Sequence, residues 1–272
     1  MRWLISTDGT TRSRQAAEFA ASFIRSNEDE VVLLGVINRT GKAALTKSMD
    51  SLEELLKGSI TARIMREGST VKVIEDVACE QPFDFVVYAS RGRRGFSKLF
   101  LGSVAARLAH ELPCSVLIVR KPPRPLKKML ISTTLSVGRD LPIEEGVKLA
   151  YITGASVTIL HVMSQIPLED EGFAVQLEWT AEELISQRTR EGKAFQRVLE
   201  LAQTEGVEAQ PLIRHGLVED EILSEVVKGG YDLLVLGAHA TAVEEKWKQF
   251  LIEDVTNSVL LGTRCPVLIV RR

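Results

Sequence analysis

The chain lacks the usual equipment of an efficient catalyst. It carries no Ser-His-Asp arrangement with a recognisable nucleophile elbow, no P-loop lysine motif, and no group set out as a general base for hydrolysis. No stretch approaches the roughly 18 consecutive apolar residues that a membrane span requires. The opening MRWLISTDGT enters strand-like sequence almost at once, without the length of a signal peptide, so a cytoplasmic setting is expected. Cysteine is scarce. Cys79, Cys114 and Cys265 are odd in number, widely spaced and without a C-x-x-C pair, which argues against a disulfide frame or a cysteine zinc site. All three are expected as reduced, buried thiols.

What is present points to a soluble globular protein of ordinary composition. Of 272 residues, 45% are hydrophobic and 26% charged, enough to bury a core in one large or two average domains. The net charge of −2 hides an asymmetry. Residues 1–126 hold 19 Lys+Arg against 14 Asp+Glu, a net of +5, whereas the remainder holds 15 against 22, a net of −7. If either half receives an anion, the first is favoured. The basic RGRR at 91–94 has no interleaved aromatics and the second half is acidic, so nucleic acid is not an expected partner.

The two halves are copies of one plan. LISTDGT at residues 4–10 answers LISTTLS at 130–136, and EVVLLGV at 30–36 answers SVTILHV at 156–162. PCSVLIVR at 113–120 returns as RCPVLIVR at 264–271. Repeats of this size are duplicated domains rather than solenoid units. The expected division is residues 1–120, a stiff linker at 121–126 that begins KPPRP, and residues 127–272. Between 163 and 207 the second half is longer, and an acidic loop followed by one long amphipathic helix from about residue 177 is expected there.

Short β-branched apolar runs such as VVLLGV and VLIVR alternate with segments of helical spacing, among them one with Ala16, Phe19, Ala20 and Phe23 on a single face. That alternation predicts an α/β fold, doubly wound, with a mainly parallel sheet of about five strands in each half. The terminal VLIVR segments read as apolar edge strands, open to pairing with another edge.

Two strand-helix turns of the first half carry chemistry. In STDGT, Asp8 ends strand 1 and Gly9 lets the chain turn; Asp8 can serve as a helix cap, a turn former or a ligand contact. In YASRGRRGFSKLFLGSVAARL, Ala89 and Gly92 follow strand 4, and nine residues later Gly102-Ser103 open a helix. Glycines there admit a phosphate to the backbone, the helix N-terminus attracts it, Ser103 offers a hydroxyl, and Arg91, Arg93 and Arg94 add positive charge.

These residues resemble the universal stress protein family, over the whole chain, as two tandem copies. Its ATP-binding members carry G-x2-G-x9-G-[S/T] after strand 4 and an acid at the end of strand 1. Here the pattern is Ala89-x2-Gly92-x9-Gly102-Ser103 with Asp8 in place, so the first glycine has become alanine. The resemblance implies ATP, with or without Mg, as cofactor. Asp8 would hold the ribose or adenine edge, and Val36 would meet adenine through its backbone. Gly92, Gly102, Ser103 and Val104 would form the phosphate cradle, with Arg91 beside it. It also implies a stress-response regulatory module with little or no turnover, and an intramolecular pseudo-dimer through residues 116–120 and 267–271. Further homodimerisation stays open. A stress-related interaction scaffold that binds no nucleotide is the alternative.

The second half departs from this pattern. Thr134 stands where Asp8 stands, and Glu253-Asp254 align with Gly102-Ser103. Carboxylates repel phosphate, so no ATP is expected in this half. His161, His215 and His239 fall at ends of strands 2, 3 and 4, where they would either converge on a transition metal or serve as ordinary hydrogen-bonded residues. The ordinary reading is the expectation.

Overall fold

The computed structural model describes residues 1–37, 41–90, 103–120, 125–135, 140–163, 179–238 and 255–271. Strands and helices alternate in the first half as β1 (Arg2–Thr7), α1 (Thr11–Ala21), β2 (Glu30–Ile37), α2 (Lys42–Leu55), β3 (Ile60–Glu67), α3 (Thr70–Glu80), β4 (Phe85–Ala89), α4 (Ser103–Glu111) and β5 (Ser115–Val119). The second half continues with β6 (Lys128–Ser132), α5 (Leu141–Thr153), β7 (Ser156–Met163), α6 (Ala181–Ser186), α7 (Arg190–Thr204), β8 (Ala209–His215), α8 (Val218–Gly229), β9 (Leu233–Gly237), a helical stretch over 255–262, and β10 (Val267–Val270).

The ten strands form one sheet in the order β3-β2-β1-β4-β5-β10-β9-β6-β7-β8. Each half is therefore a doubly wound, parallel five-stranded unit. Among the described residues the one antiparallel pairing is the seam between halves, where Val267, Leu268 and Ile269 face Ile118, Leu117 and Val116. The two apolar edges cover each other within the chain, as their sequence anticipates.

Alternation along each strand explains why the runs are apolar at successive positions. Trp3, Ile5, Val31, Leu33, Phe85 and Val87 enter the core beneath α1 and α2. Their neighbours Leu4, Val32, Leu34, Val86 and Ile118 enter the core beneath α3 and α4 on the opposite face. The first core crosses the seam to include Met129, Ile131, Leu268 and Val270, so the halves share apolar packing.

At the amino ends of the strands the duplication is chemically intact. The Arg2 guanidinium lies 5.0 Å from the Phe83 ring centre, and its counterpart Lys128 lies 4.5 Å from that of Tyr231. Asp84 accepts the Arg2 backbone N–H at 2.8 Å, and Asp232 accepts those of Lys127 and Lys128 at 2.9 and 3.2 Å.

Two expectations need correction. The long helix from about residue 177 is two helices, α6 and α7. Thr180 and Glu183 close a reciprocal capping box on α6, and Arg188 turns with φ 54° before Thr189 caps α7. Gly192 permits the tight fold between them, since a Cβ there would lie 1.9 Å from the Leu184 carbonyl oxygen. The second correction concerns Cys79, which is exposed while Cys114 and Cys265 are buried. It falls off the face of α3 that buries Val73, Ile74, Val77 and Ala78. Residues 121–124 of the linker and the acidic lead-in at 164–178 lie outside the described residues.

Candidate functional site

β1 pairs with β2 on one side and β4 on the other. The helices that follow β1 and β4, α1 and α4, pack on opposite faces of the sheet. Chains diverging in this way leave a crevice at the carboxyl ends of the strands, the switch point of a doubly wound sheet. In the first half it is a cleft of about 460 Å3, and Asp8, Val36, Ala89 and Val104 all line it. These four therefore meet although they come from four different elements or turns. Arg91, Gly92 and Gly102, like Arg93 and Arg94, lie outside the described residues, and so does the side chain of Ser103, whose backbone opens α4.

The turn after β1 is built from hydroxyls and one carboxylate. The backbone N–H and hydroxyl of Thr10 both donate to Asp8 Oδ1, at 3.1 and 2.7 Å. Thr10, not Asp8, then caps α1 by accepting the Ser13 N–H. Asp8 is thus a turn former whose Oδ1 is engaged; among the described residues no hydrogen bond reaches its Oδ2. Gly9 takes φ 77°, the left-handed region where a side chain is costly. Thr7 Oγ1 accepts the Gly9 N–H at 3.1 Å and lies 2.9 Å from Ser13 Oγ, locking the turn from below.

Three helix starts border the cleft. Thr10 and Arg12 come from that of α1, Ser69 and Thr70 from that of α3, and Val104 from that of α4. None of these helices has an acidic residue in its first turn. No carboxylate within these first turns offsets their partial positive charges, Arg12 adds a full charge, and the Asp8 carboxylate sits just before α1. Apart from the Asp8 carboxylate, this lining has the chemistry to attract an anion that carries an apolar portion.

Models of known protein families account for both halves of the chain. The one for the "Universal stress protein family" matches residues 1–120 and again 125–271. The chain belongs to the universal stress protein family. A universal stress protein of Synechocystis is 31% identical over 130 residues, covering 43% of this chain and 83% of its own length. One from Methanocaldococcus jannaschii is 28% identical over 138 residues, 44% of this chain and 81% of that one. Such relatives correspond in length to about one half of the tandem chain. Whole-chain likeness appears among solved structures. A universal stress protein from Archaeoglobus fulgidus covers 100% of this chain and 96% of its own at 20% identity and TM-score 0.64. Its putative counterpart from Pseudomonas aeruginosa covers 99% and 92% at 15% identity and TM-score 0.69.

The second universal stress protein unit keeps the backbone of the turn and changes its chemistry. Thr133 Oγ1 accepts the Leu135 N–H at 3.0 Å, as Thr7 does that of Gly9. Leu135 takes φ 50°, and its side chain is buried in the core. Thr134 is exposed and supplies no acid. The counterparts of α1 and α3 begin with acids: Glu144 in the first turn of α5, and Glu219, Asp220 and Glu221 in that of α8. Glu253 and Asp254 lie outside the described residues. Two of the three helix starts that border the first unit's cleft thus have acid-bearing counterparts in the second.

Two of the three histidines are neighbours. His161 and His215 stand on the adjacent strands β7 and β8, and His239 lies outside the described residues. His161 Nδ1 lies 3.0 Å from the Thr133 carbonyl oxygen, and its ring meets Phe195 edge-on. Burial lowers its pKa, against the pull of that carbonyl and of Glu191. Among the described residues no cluster of three or more His, Cys, Asp or Glu is placed to hold a metal, and no helix is long and apolar enough to cross a membrane.

Sequence reasoning missed Arg12, Ser69 and Thr70 as cleft residues. The first-turn contrast between halves was visible, since the polar start TRSR of α1 and the acid-rich start VEDE of α8 are both plain in the letters. It carried no weight until the fold showed which helix starts share a cleft.

Proposed function

We propose that the first unit binds a nucleotide, ATP, in the 460 Å3 cleft, and that the chain acts in the cytoplasm as a nucleotide-dependent regulatory module of the stress response. The observation that supports this reading is the joining of Asp8, Val36, Ala89 and Val104 around a cleft bordered by three acid-free helix starts. Asp8, with Oδ2 available, suits a ribose hydroxyl. Val36 suits the adenine plane and the start of α4 the phosphates, with Arg91, Gly92, Gly102 and Ser103 completing the cradle. Function then comes from nucleotide-dependent shape or partner binding, with turnover slow at most. The acid-bearing helix starts of the second unit argue against ATP there.

A second reading keeps the fold and drops the nucleotide. It draws on Tyr88 lining the same cleft and on Ala89 where the family's ATP-binding pattern has glycine. One titration separates the two: ATP binding by the unaltered chain and by Gly102→Glu, which copies the second unit's Glu253. Micromolar binding that the substitution abolishes supports the nucleotide reading. No binding by the unaltered chain leaves the scaffold.

A further inference from the structure

The seam between the halves ends in two arginines at matching places, Arg120 after β5 and Arg271 after β10. Each reaches into the other half. Arg271 Nη1 donates to the His110 carbonyl oxygen at 2.7 Å, and Nη2 to that of Ala109 at 3.0 Å. Both acceptors belong to the last turn of α4. Reciprocally, Arg120 Nη1 donates to the carbonyl oxygens of Leu260 and Thr263, at the close of the helical stretch over 255–262.

The chemistry of this exchange is specific. The last carbonyls of a helix have no partner within the helix, and its C-terminus carries partial negative charge. A guanidinium satisfies both needs with two parallel donors, which a lysine does not reproduce. The seam end beside Arg271 is also closed by Ser115, whose hydroxyl donates to the Arg271 carbonyl oxygen and accepts its N–H, at 3.2 and 3.1 Å. That exchange holds the backbone of residue 271 and touches no carbonyl of α4.

The two clasps do not serve equal helices. Arg120 holds the helix that follows Glu253-Asp254 in sequence. Arg271 holds α4, which spans nine residues, follows Gly102, and lends Val104 to the cleft. A helix this short moves as a unit, so fixing its C-terminal turn fixes the position of its N-terminal amides.

We infer that Arg271, supplied by the second half, is a positioning residue for the first half's cleft, setting α4 through the Ala109 and His110 carbonyls. For its effect on ligand binding the inference rests on the nucleotide reading above. It gives the second half, whose own helix starts are acidic, a task in the first half's site.

The test uses the full chain with Arg271→Gln, Arg271→Lys and Ser115→Ala, read by amide hydrogen exchange without nucleotide and by ATP titration. Arg271→Gln is expected to speed exchange across residues 103–111 by about tenfold or more and to weaken ATP binding by about tenfold, as two charge-assisted bonds are lost. Arg271→Lys keeps the charge but not the fork and falls between, and it carries the comparison if Arg271→Gln does not fold. Ser115→Ala is expected to lower the melting temperature while leaving α4 exchange and ATP affinity within about twofold. Unchanged α4 exchange in Arg271→Gln overturns the inference. So does faster exchange with ATP affinity intact, or a Ser115→Ala variant that matches Arg271→Gln. If the unaltered chain binds no ATP, the nucleotide reading falls, and the exchange data alone decide whether Arg271 positions α4.

Discussion

Leu135 occupies in the second half the turn that Gly9 makes in the first, with φ 50° against 77°. The second half keeps the left-handed backbone of this turn without the glycine that makes it easy. A leucine in the left-handed region costs about 1–2 kcal/mol, and here it is offset by a side chain that is 6% exposed and packed in the core.

Leu135→Gly therefore sets relief of strain against loss of packing. Truncating a buried leucine costs about 2–5 kcal/mol, and relief returns about 1–2, so a net loss of up to about 4 kcal/mol is expected. Denaturant unfolding measures it; a stabilised variant would refute the account. The converse, Gly9→Ala, has no core to enter and is expected to cost about 1 kcal/mol.

Asp8 and Ala89 test the cleft in opposite senses. Asp8→Ala is expected to weaken ATP binding by about tenfold, as a hydrogen-bonding carboxylate is lost. Ala89→Gly is expected to tighten it, because it clears a methyl group from the cleft lining. Calorimetric titration reads both, and equal affinities across the three chains would count against the nucleotide reading.

The second half should weaken in mild acid. Burial holds the His161 pKa below its ordinary 6.5. Between that lowered value and 6.5 the unfolded chain binds more protons than the folded one, so stability is full above 6.5 and falls as pH drops through it. Asp140 acts in the opposite sense at lower pH. Burial raises its pKa above 3.8, so its contribution is present below 3.8 and lost as pH rises. Melting temperature against pH should decline below about 6.5, and His161→Gln should flatten that decline. An unchanged slope in the variant would assign the effect elsewhere.

The cysteines should differ in reactivity. Cys79 is exposed, whereas burial pushes the Cys114 thiol up to about 12 and Cys265 donates to the Tyr231 carbonyl oxygen at 3.3 Å. Iodoacetamide should alkylate Cys79 in the folded protein and the other two only on unfolding, as peptide mass spectrometry would show. Rapid labelling of Cys114 in the native state would contradict its burial.

Much of the fold was legible because its determinants are local or repeated. Apolar runs of strand length, helical spacing at Ala16, Phe19, Ala20 and Phe23, and the repeats themselves suffice for two doubly wound halves. The break at Arg188 was not legible, because Ser186, Thr189 and Gly192 are each tolerated singly inside a helix and the decisive contact is Gly192 against the Leu184 carbonyl. Cys79 was misread because cysteine is usually buried, while its exposure depends on which face of α3 meets the sheet.

The sequence by itself determined the duplication, the strand and helix order, and the residues Asp8, Val36, Ala89 and Val104 as a set worth joining. The duplication and the element order follow from repetition and periodicity, which are read along the chain, whereas the four residues were joined by the resemblance to the universal stress protein family. Only the tertiary structure decided that the starts of α1, α3 and α4 border one cleft with them, and that Arg271 reaches carbonyls about 160 positions away. Both depend on strand order and on the antiparallel seam, and contacts made across a sheet leave no regular mark in the order of the residues.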